Sequence, residues 1–181
     1  MSKYRNNLPQ LNGHLFLTDG GQETTLIFHE GIELPFFAAF DLLKDDAGTE
    51  ILRRYYQRYA DLAAARGVGM VLESPTWRAN PDWAAKLGHN AKSLAAMNRK
   101  GIELLEEIRA GCETGDRPAV ISGNLGPRGD GYRANTRMTV RQARDYHAPQ
   151  VETFACTNAD MVAGFTLNYV EEAIGITLAA R

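Results

Sequence analysis

The sequence predicts an α/β fold built from four consecutive strand–helix units around a parallel sheet. Three observations predict it. Four short apolar runs recur along the chain, each ends in a turn signal, and each is followed by apolar residues at helical spacing. The runs are too short for helices and too continuously apolar for strands with one wet face, so they read as parallel strands buried on both sides. Strands alternating with helices imply right-handed crossovers within one sheet.

The first run, His14 to Asp19, ends in Gly20-Gly21, and the second, Val68 to Glu73, ends in Ser74-Pro75-Thr76. The third, Pro118 to Gly123, leads into Asn124-Leu125-Gly126-Pro127, and the fourth, Asp160 to Phe165, into Thr166-Leu167-Asn168. Between them, Thr49 to Arg66 carries Ile51, Leu52, Tyr55, Tyr59, Leu62 and Ala63 three and four residues apart, with Gly67 as the stop. Asn90 to Ala110 repeats the pattern through Leu94, Met97, Ile102, Leu105 and Ile108, with Gly111 as the closing residue. Thr139 to Thr157 is also helical but contains Pro149. A proline there removes a hydrogen bond and collides with the preceding turn, so a break near His147 is expected, with Pro149 opening a second segment. Val170 to Arg181 begins a further helix. The connection from Leu26 to Gly48 is long, and its Phe36-Phe37-Ala38-Ala39-Phe40 cluster is too apolar to hang in solvent. It is expected to pack as a lid or fold over one end of the strands. Four such units amount to half of a TIM-type (βα)8 barrel, and residues 1–181 read as a partial barrel domain that stops before closure.

Composition narrows the function classes. Of 181 residues, 44% are hydrophobic and 23% charged, an ordinary globular balance. No run approaches the roughly 18 apolar residues of a membrane span. The first residues have neither an apolar signal core nor a small-residue cleavage site, so a cytoplasmic protein is expected. A net charge of −2 and pI of 6.1 argue against nucleic acid as a partner. Arg128, Arg133, Arg137, Arg141 and Arg144 are interleaved with Asp130 and Asp145, the pattern of a solvated surface. The two cysteines, Cys112 and Cys156, make no disulfide framework and are expected to be small buried hydrophobes on helices. No CxxC, CxxH or HExxH spacing occurs, so the chain has no self-sufficient zinc motif.

In parallel α/β folds ligands bind at the carboxyl ends of the strands, and here those ends are polar and glycine-rich. Asp19 follows apolar strand residues and would face the mouth, where its carboxylate can hold a substrate ammonium; the other reading is a cap for the turn that follows. Gly20 and Gly21 let backbone approach a ligand and offer amides to a carboxylate. Glu73 is either a ligand-facing acid or the partner of an arginine such as Arg78 or Arg128. Asn124 is a substrate hydrogen-bonding group or a turn-former before Gly126-Pro127, and Thr76 poses the same choice. Trp77 and Trp83 read as packing aromatics. His14, His29, His89 and His147 sit in unrelated segments and mark neither a ligand set nor a base. Gly123, Gly126 and Gly129 lack the spacing of a dinucleotide loop.

At these residues the chain resembles the homocysteine S-methyltransferase family. Leu17-Thr-Asp-Gly-Gly-Gln-Glu-Thr-Thr-Leu26 is similar to that family's opening Asp-Gly strand, and Leu72-Glu-Ser-Pro-Thr-Trp-Arg-Ala-Asn80 to its second-strand motif. Ile121 to Asp130 is similar to its third-strand Gly-Pro loop. Ala159-Asp-Met-Val-Ala, leading to Glu171-Glu-Ala-Ile-Gly175, is similar to its fourth strand and helix.

The resemblance implies a (βα)8 barrel and transfer of a methyl group from a sulfonium, quaternary ammonium or folate donor to the homocysteine thiol, a step in methionine biosynthesis. It implies zinc, bound by cysteines, holding that thiol as thiolate. It places Asp19, Gly20 and Gly21 on the amino-acid part of homocysteine and Thr76 and Asn124 in the pocket lining. Two features depart from the family. The position of a substrate-binding glutamate after strand four is Phe165, which shifts ammonium binding toward Asp19 or Glu73. The zinc cysteines belong to the second half of the barrel, and Cys112 and Cys156 match neither of their motifs. The chain alone is therefore expected to be inactive and without a metal site. Two alternatives stand beside this reading: a non-catalytic half-barrel that dimerises through its edge strands and binds a small amino acid, and a barrel lyase using Asp19 and Glu73 as acid and base.

Overall fold

In the computed structural model, which describes residues 2–134 and 137–181, four parallel strands stand side by side in chain order: β1 (Phe16–Thr18), β2 (Gly69–Glu73), β3 (Ala119–Leu125) and β4 (Met161–Gly164). The register pairs Leu17 with Met70, Leu72 with Ile121, and Gly123 with Val162. The strands alternate with helices as the sequence implies. A one-turn α1 (Gln22–Thr24) is followed by α2 (Asp46–Arg66), α3 (Pro81–Lys86), α4 (Ala91–Cys112), α5 (Val140–Ala155) and α6 (Val170–Ala179). β2 is buried along its whole length and β3 nearly so. β1 and β4, each with one strand neighbour, are only half-buried or exposed, unlike the two-sided burial their sequences suggest.

The starts of α2 and α4 follow local chemistry, while α4 and α5 run past the stops their sequences suggest. α2 starts where the Asp45 carboxylate accepts the Gly48 amide at 2.8 Å, and ends at Gly67, whose φ of 66° turns the chain back toward β2. Its Leu52, Tyr55, Tyr56, Ala60 and Ala63 recur at helical spacing and bury against the sheet and α4. α4 opens on a reciprocal Asn90–Ser93 cap. It does not close at Gly111, as expected from sequence, but continues to Cys112. The chain leaves in extended conformation at Glu113, so the glycine is not required to turn left-handed. α5 likewise runs unbroken through Pro149, correcting the expected break at His147. Pro149 and Asp145, whose carbonyl loses its partner, are both exposed, so water can take the missing bond.

The core lies between the sheet and α2, α4 and α5, with Phe40, Leu52, Tyr55, Tyr56, Leu72, Ile102, Leu105, Ile121 and Phe154 fully enclosed. Beneath it, Asp160 collects an N-terminal strap. Its Oδ1 accepts the amides of Lys3 and Tyr4 at 2.8 and 2.7 Å, and its Oδ2 accepts Arg109 Nη1 at 2.8 Å and the Ile121 amide at 3.0 Å. The long Leu26–Gly48 connection divides. Ala38, Ala39 and Phe40 are buried, whereas Phe36 and Phe37 are half-exposed with φ near 58° and 56°. Cys156 is exposed at the end of α5 and Cys112 half-buried at the end of α4, so the expectation of two buried thiols fails because both occupy helix ends rather than core faces. Among the described residues no helix is long and apolar enough to cross a membrane.

Candidate functional site

At the carboxyl ends of the strands the loops enclose a cavity of about 550 Å³, within the range of small-molecule sites. Each wall follows from a short stretch of sequence. β1 delivers Asp19, Gly20 and Gly21, and the following turn adds Glu23; β2 delivers Glu73 and Ser74, then Trp77 and Arg78. β3 contributes Asn124, its loop Asp130 and Tyr132, and the end of β4 Phe165 and Thr166. Asp19, Gly20, Gly21, Glu73 and Asn124, singled out from sequence, thus meet at one cavity.

Thr76 does not line it. It is fully buried behind the wall, in a closed ring of hydrogen bonds between the ends of β2 and β3. The Asn124 amide donates to Ser74 Oγ at 2.9 Å, and the Thr76 hydroxyl donates to the Asn124 carbonyl at 2.7 Å. Ser74 Oγ lies 2.6 Å from Thr76 Oγ1, so the Ser74 hydrogen completes the ring. The ring holds Asn124 inside β3 rather than in the turn its sequence also allows, and leaves its Oδ1 without a protein partner at the cavity. The loops are tied across the top. Asn80 Nδ2 donates to the Pro127 carbonyl at 3.1 Å, and Trp77 Nε1 to Thr166 Oγ1 at 3.0 Å. A Cβ at Gly126 would collide with the Trp77 carbonyl, so only glycine permits the β2 and β3 loops to approach this closely.

Three carboxyl groups dominate the electrostatics. Asp19 does not cap the next turn; its Oδ2 accepts the Tyr55 hydroxyl of α2 at 3.0 Å, a hydrogen shared with the Gly20 carbonyl at 3.1 Å. Burial pushes Asp19 up to about 6 against the Tyr55 bond, which lowers it. Glu23 is pushed to about 7, chiefly by burial, with the Asp19 charge adding to the rise and Arg78 opposing it. Glu73 also reaches about 7 through burial, eased by the Ser122 hydroxyl and aggravated by Asp19. Among the described residues Glu73 pairs with neither Arg78 nor Arg128, one of the two readings its sequence position left open. Arg128 turns outward to Asp82 at 2.8 Å, Arg78 bonds the Gly129 carbonyl, and Glu73 Oε2 is buried without a partner. The Tyr56 hydroxyl donates instead to the Glu73 main-chain carbonyl at 2.7 Å, fixing the strand end.

Two site residues were not singled out by sequence reasoning. Glu23 sits in the Asp19-to-Glu23 stretch, but only its burial in the turn after β1 shows that it faces the cavity. Arg78 looked like a salt-bridge partner, and the signal for its role was its position between Trp77 and Trp83. Those two indoles flank its guanidinium instead of serving only as packing. Of the four histidines, His89 contacts Asp41 and His147 contacts Glu172 in a fully buried pair at 2.9 Å, both away from the cavity lining.

The chain is thus a parallel α/β fold with a largely acid-lined cavity at its strand ends, the place where such folds bind small molecules. The homocysteine S-methyltransferase family model matches residues 16–181, and the chain belongs to that family. Its structure is similar to that of the homocysteine methyltransferase MmuM from Escherichia coli in two forms. The metallated form gives 21% identity and a TM-score of 0.74, over 95% of this chain and 61% of that one. The oxidised form gives 20% identity and a TM-score of 0.77, over 95% and 59%. The chain therefore spans about three fifths of the length of these enzymes, and at such identity the likeness establishes a shared fold. No curated protein matches the chain. A metal is part of one of those structures, but the residues here do not fit one. Among the described residues no three of His, Cys, Asp or Glu are grouped to hold an ion. Cys112 and Cys156 end helices that lead into the amino ends of β3 and β4, opposite the cavity.

Proposed function

We propose that this chain is the substrate-recognition half of a (βα)8-barrel homocysteine S-methyltransferase, occupying residues 1–181 of that domain and inactive alone. The observation that carries the reading is the convergence of Asp19, Glu23 and Glu73 on one cavity beside the backbone of Gly20 and Gly21. An α-amino acid entering there places its ammonium among the three carboxyl groups, which otherwise share too little positive charge to ionise together. Its carboxylate meets the amides of the glycine pair, and Asn124 Oδ1 accepts a hydrogen bond. Phe165, standing where many relatives have a glutamate, forms an apolar part of the wall, and Glu23 with Glu73 takes over the missing negative charge. The methyl group of a sulfonium, quaternary ammonium or folate donor would move to the thiol sulfur of homocysteine, giving methionine. The zinc of the family would hold that thiol as thiolate, and among the described residues no set of His, Cys, Asp or Glu is grouped to bind it. A cytoplasmic setting is part of the same proposal.

Calorimetry with L-homocysteine tests the reading. The wild-type chain is expected to bind it, and Asp19→Asn to weaken binding about tenfold, the scale of one charge-assisted hydrogen bond. Unchanged affinity in that variant, or methionine formation by the isolated chain, would overturn it.

A second reading has its own observation. Among the described residues β1 and β4 each leave one edge unpaired, and α6 exposes Val170, Ile174 and Leu178 four residues apart. A homodimer that covers these surfaces is expected if the half-barrel stands alone, and sedimentation at a monomer mass would exclude it.

A further inference from the structure

The helix behind the cavity wall, α2, presents Tyr55, Tyr56 and Tyr59 to the strand ends, and Tyr55 reaches two site groups at once. It is fully buried and does not line the cavity. Its hydroxyl nevertheless donates to Asp19 Oδ2 at 3.0 Å and to the Gly20 carbonyl at 3.1 Å. A hydroxyl carries one hydrogen, so the two oxygens share it, and both are drawn toward α2. A Cβ at Gly20 would come within 2.8 Å of the Tyr59 hydroxyl, so the backbone there rests directly on the same helix face.

Each of these bonds decides what the same group offers on the cavity side. With Oδ2 turned to Tyr55, Oδ1 is the oxygen left to accept from a ligand ammonium. The peptide joining Gly20 to Gly21 is planar and trans, so its N–H points opposite to its C=O. Holding the Gly20 carbonyl against α2 therefore aims the Gly21 amide away from α2, toward the cavity that both glycines line. Among the described residues that amide has no acceptor. Burial and the Asp19 charge hold the Tyr55 hydroxyl far above the usual tyrosine range, so it keeps its hydrogen and serves only as a donor here.

We infer that Tyr55 is the positioning residue of the amino-acid site, one buried hydroxyl that sets the ammonium acceptor at Asp19 and the carboxylate donor at Gly21 together. It acts on the ligand only through these two groups. Two contacts held at a fixed spacing select a ligand whose ammonium and carboxylate share one carbon. The assignment of the two groups to an α-amino acid rests on the methyltransferase reading, whereas their coupling through Tyr55 rests on the hydrogen bonds alone.

NMR and calorimetry on the 181-residue chain test it. Tyr55→Phe keeps the ring in the core and removes only the hydroxyl. One signal reads each end of the site. The Asp19 carboxyl carbon titrates near pH 6 in the wild type, and it is expected to move to higher pH in Tyr55→Phe because the lost bond lowers it. Glu23 and Glu73, the acids coupled to Asp19, are the same in both proteins. The Gly21 amide signal should move as well, since the Gly20 carbonyl is released. A purely packing tyrosine would leave the Asp19 titration in place, and that result overturns the inference. A Gly21 amide that stays in place also overturns it, because Tyr55 would then serve one end only. Binding of L-homocysteine to Tyr55→Phe should be about tenfold weaker, the scale of a hydrogen bond to a charged group, and unchanged affinity in the folded variant overturns the inference too. If the wild type binds no homocysteine, the methyltransferase reading falls, and the two NMR signals still decide the role of Tyr55. Thermal unfolding reports whether the variant folds. If it does not, the wild type decides: Tyr55 Cζ should titrate with the same midpoint as the Asp19 carboxyl, and a flat Tyr55 signal overturns the inference.

Discussion

Replacing Glu73 by glutamine should make the empty protein more stable, in a manner that depends on pH. The carboxyl group is buried, its Oε2 has no hydrogen-bond partner, and its pKa is raised from 4.5 to about 7. Below pH 4.5 it carries a proton in both folded and unfolded chains and contributes nothing. As pH rises from there the unfolded chain ionises while the folded one keeps its proton, so folding stability falls. Above about 7 both are ionised and the penalty is constant. Holding the carboxyl at about 7 and not at 4.5 corresponds to roughly 3 kcal/mol, an upper bound for Glu73→Gln under alkaline conditions. The amide needs an acceptor, and Ser122 Oγ, buried and without a partner of its own, is beside it. At about 2–4 °C per kcal/mol for a chain of this size, a gain of roughly 1–3 kcal/mol raises Tm by about 2–12 °C.

Thermal unfolding at about pH 4, 6 and 8 reads the effect. The melting curves of wild type and Glu73→Gln should coincide at the lowest pH and separate progressively toward the highest. A constant gain at every pH would mean packing rather than ionisation is responsible, and a loss at the highest pH would show that Glu73 is satisfied in the folded state. Either result refutes the reasoning.

Two further predictions concern the scaffold. Asp160→Asn removes the charge opposite Arg109 and weakens the anchor of the Lys3–Tyr4 strap, and breaking such a buried pair is expected to cost about 3–5 kcal/mol. Chemical denaturation measures it, with faster tryptic cleavage at Lys3 and Arg5 as the local sign, and a loss under 1 kcal/mol would contradict the assignment by about threefold. Pro149→Ala restores a helical hydrogen bond at an exposed position and should stabilise the chain by about 1 kcal/mol or more; a lower denaturation midpoint would show that the ring's packing outweighs the bond.

The strands were legible because a parallel strand must be apolar without alternation, and the four runs read that way even though only β2 and β3 are enclosed on both sides. The site was legible in part for a topological reason: residues just after such strands must lie at one end of the sheet, which brings Asp19, Gly20, Gly21, Glu73 and Asn124 together without knowledge of any side-chain direction. What sequence could not show depends on direction. Thr76 is three residues beyond Glu73, yet its hydroxyl turns inward to the Asn124 carbonyl, while Trp77 and Arg78 beside it turn to the cavity. Glu23 and Arg78 acquire their properties from burial, which no local spacing encodes. Pro149 misled for the opposite reason, since its rule is local and the exposure of Asp145 that relaxes it is not.

The same burial that makes the empty cavity unfavourable gives it a reason to bind. Asp19, Glu23 and Glu73 compete for charge, and among the described residues Arg78 makes no ion pair, so the cavity carries unsatisfied groups of both signs. Packing the same space with apolar side chains would remove these costs and leave a more stable but inert domain. On the proposed function, a ligand carrying an ammonium would satisfy the acidic set. The acids would then release protons as they ionise beside the ammonium, whereas Arg78 has none to release. Binding of the thiol amino acid should therefore depend on pH near neutrality.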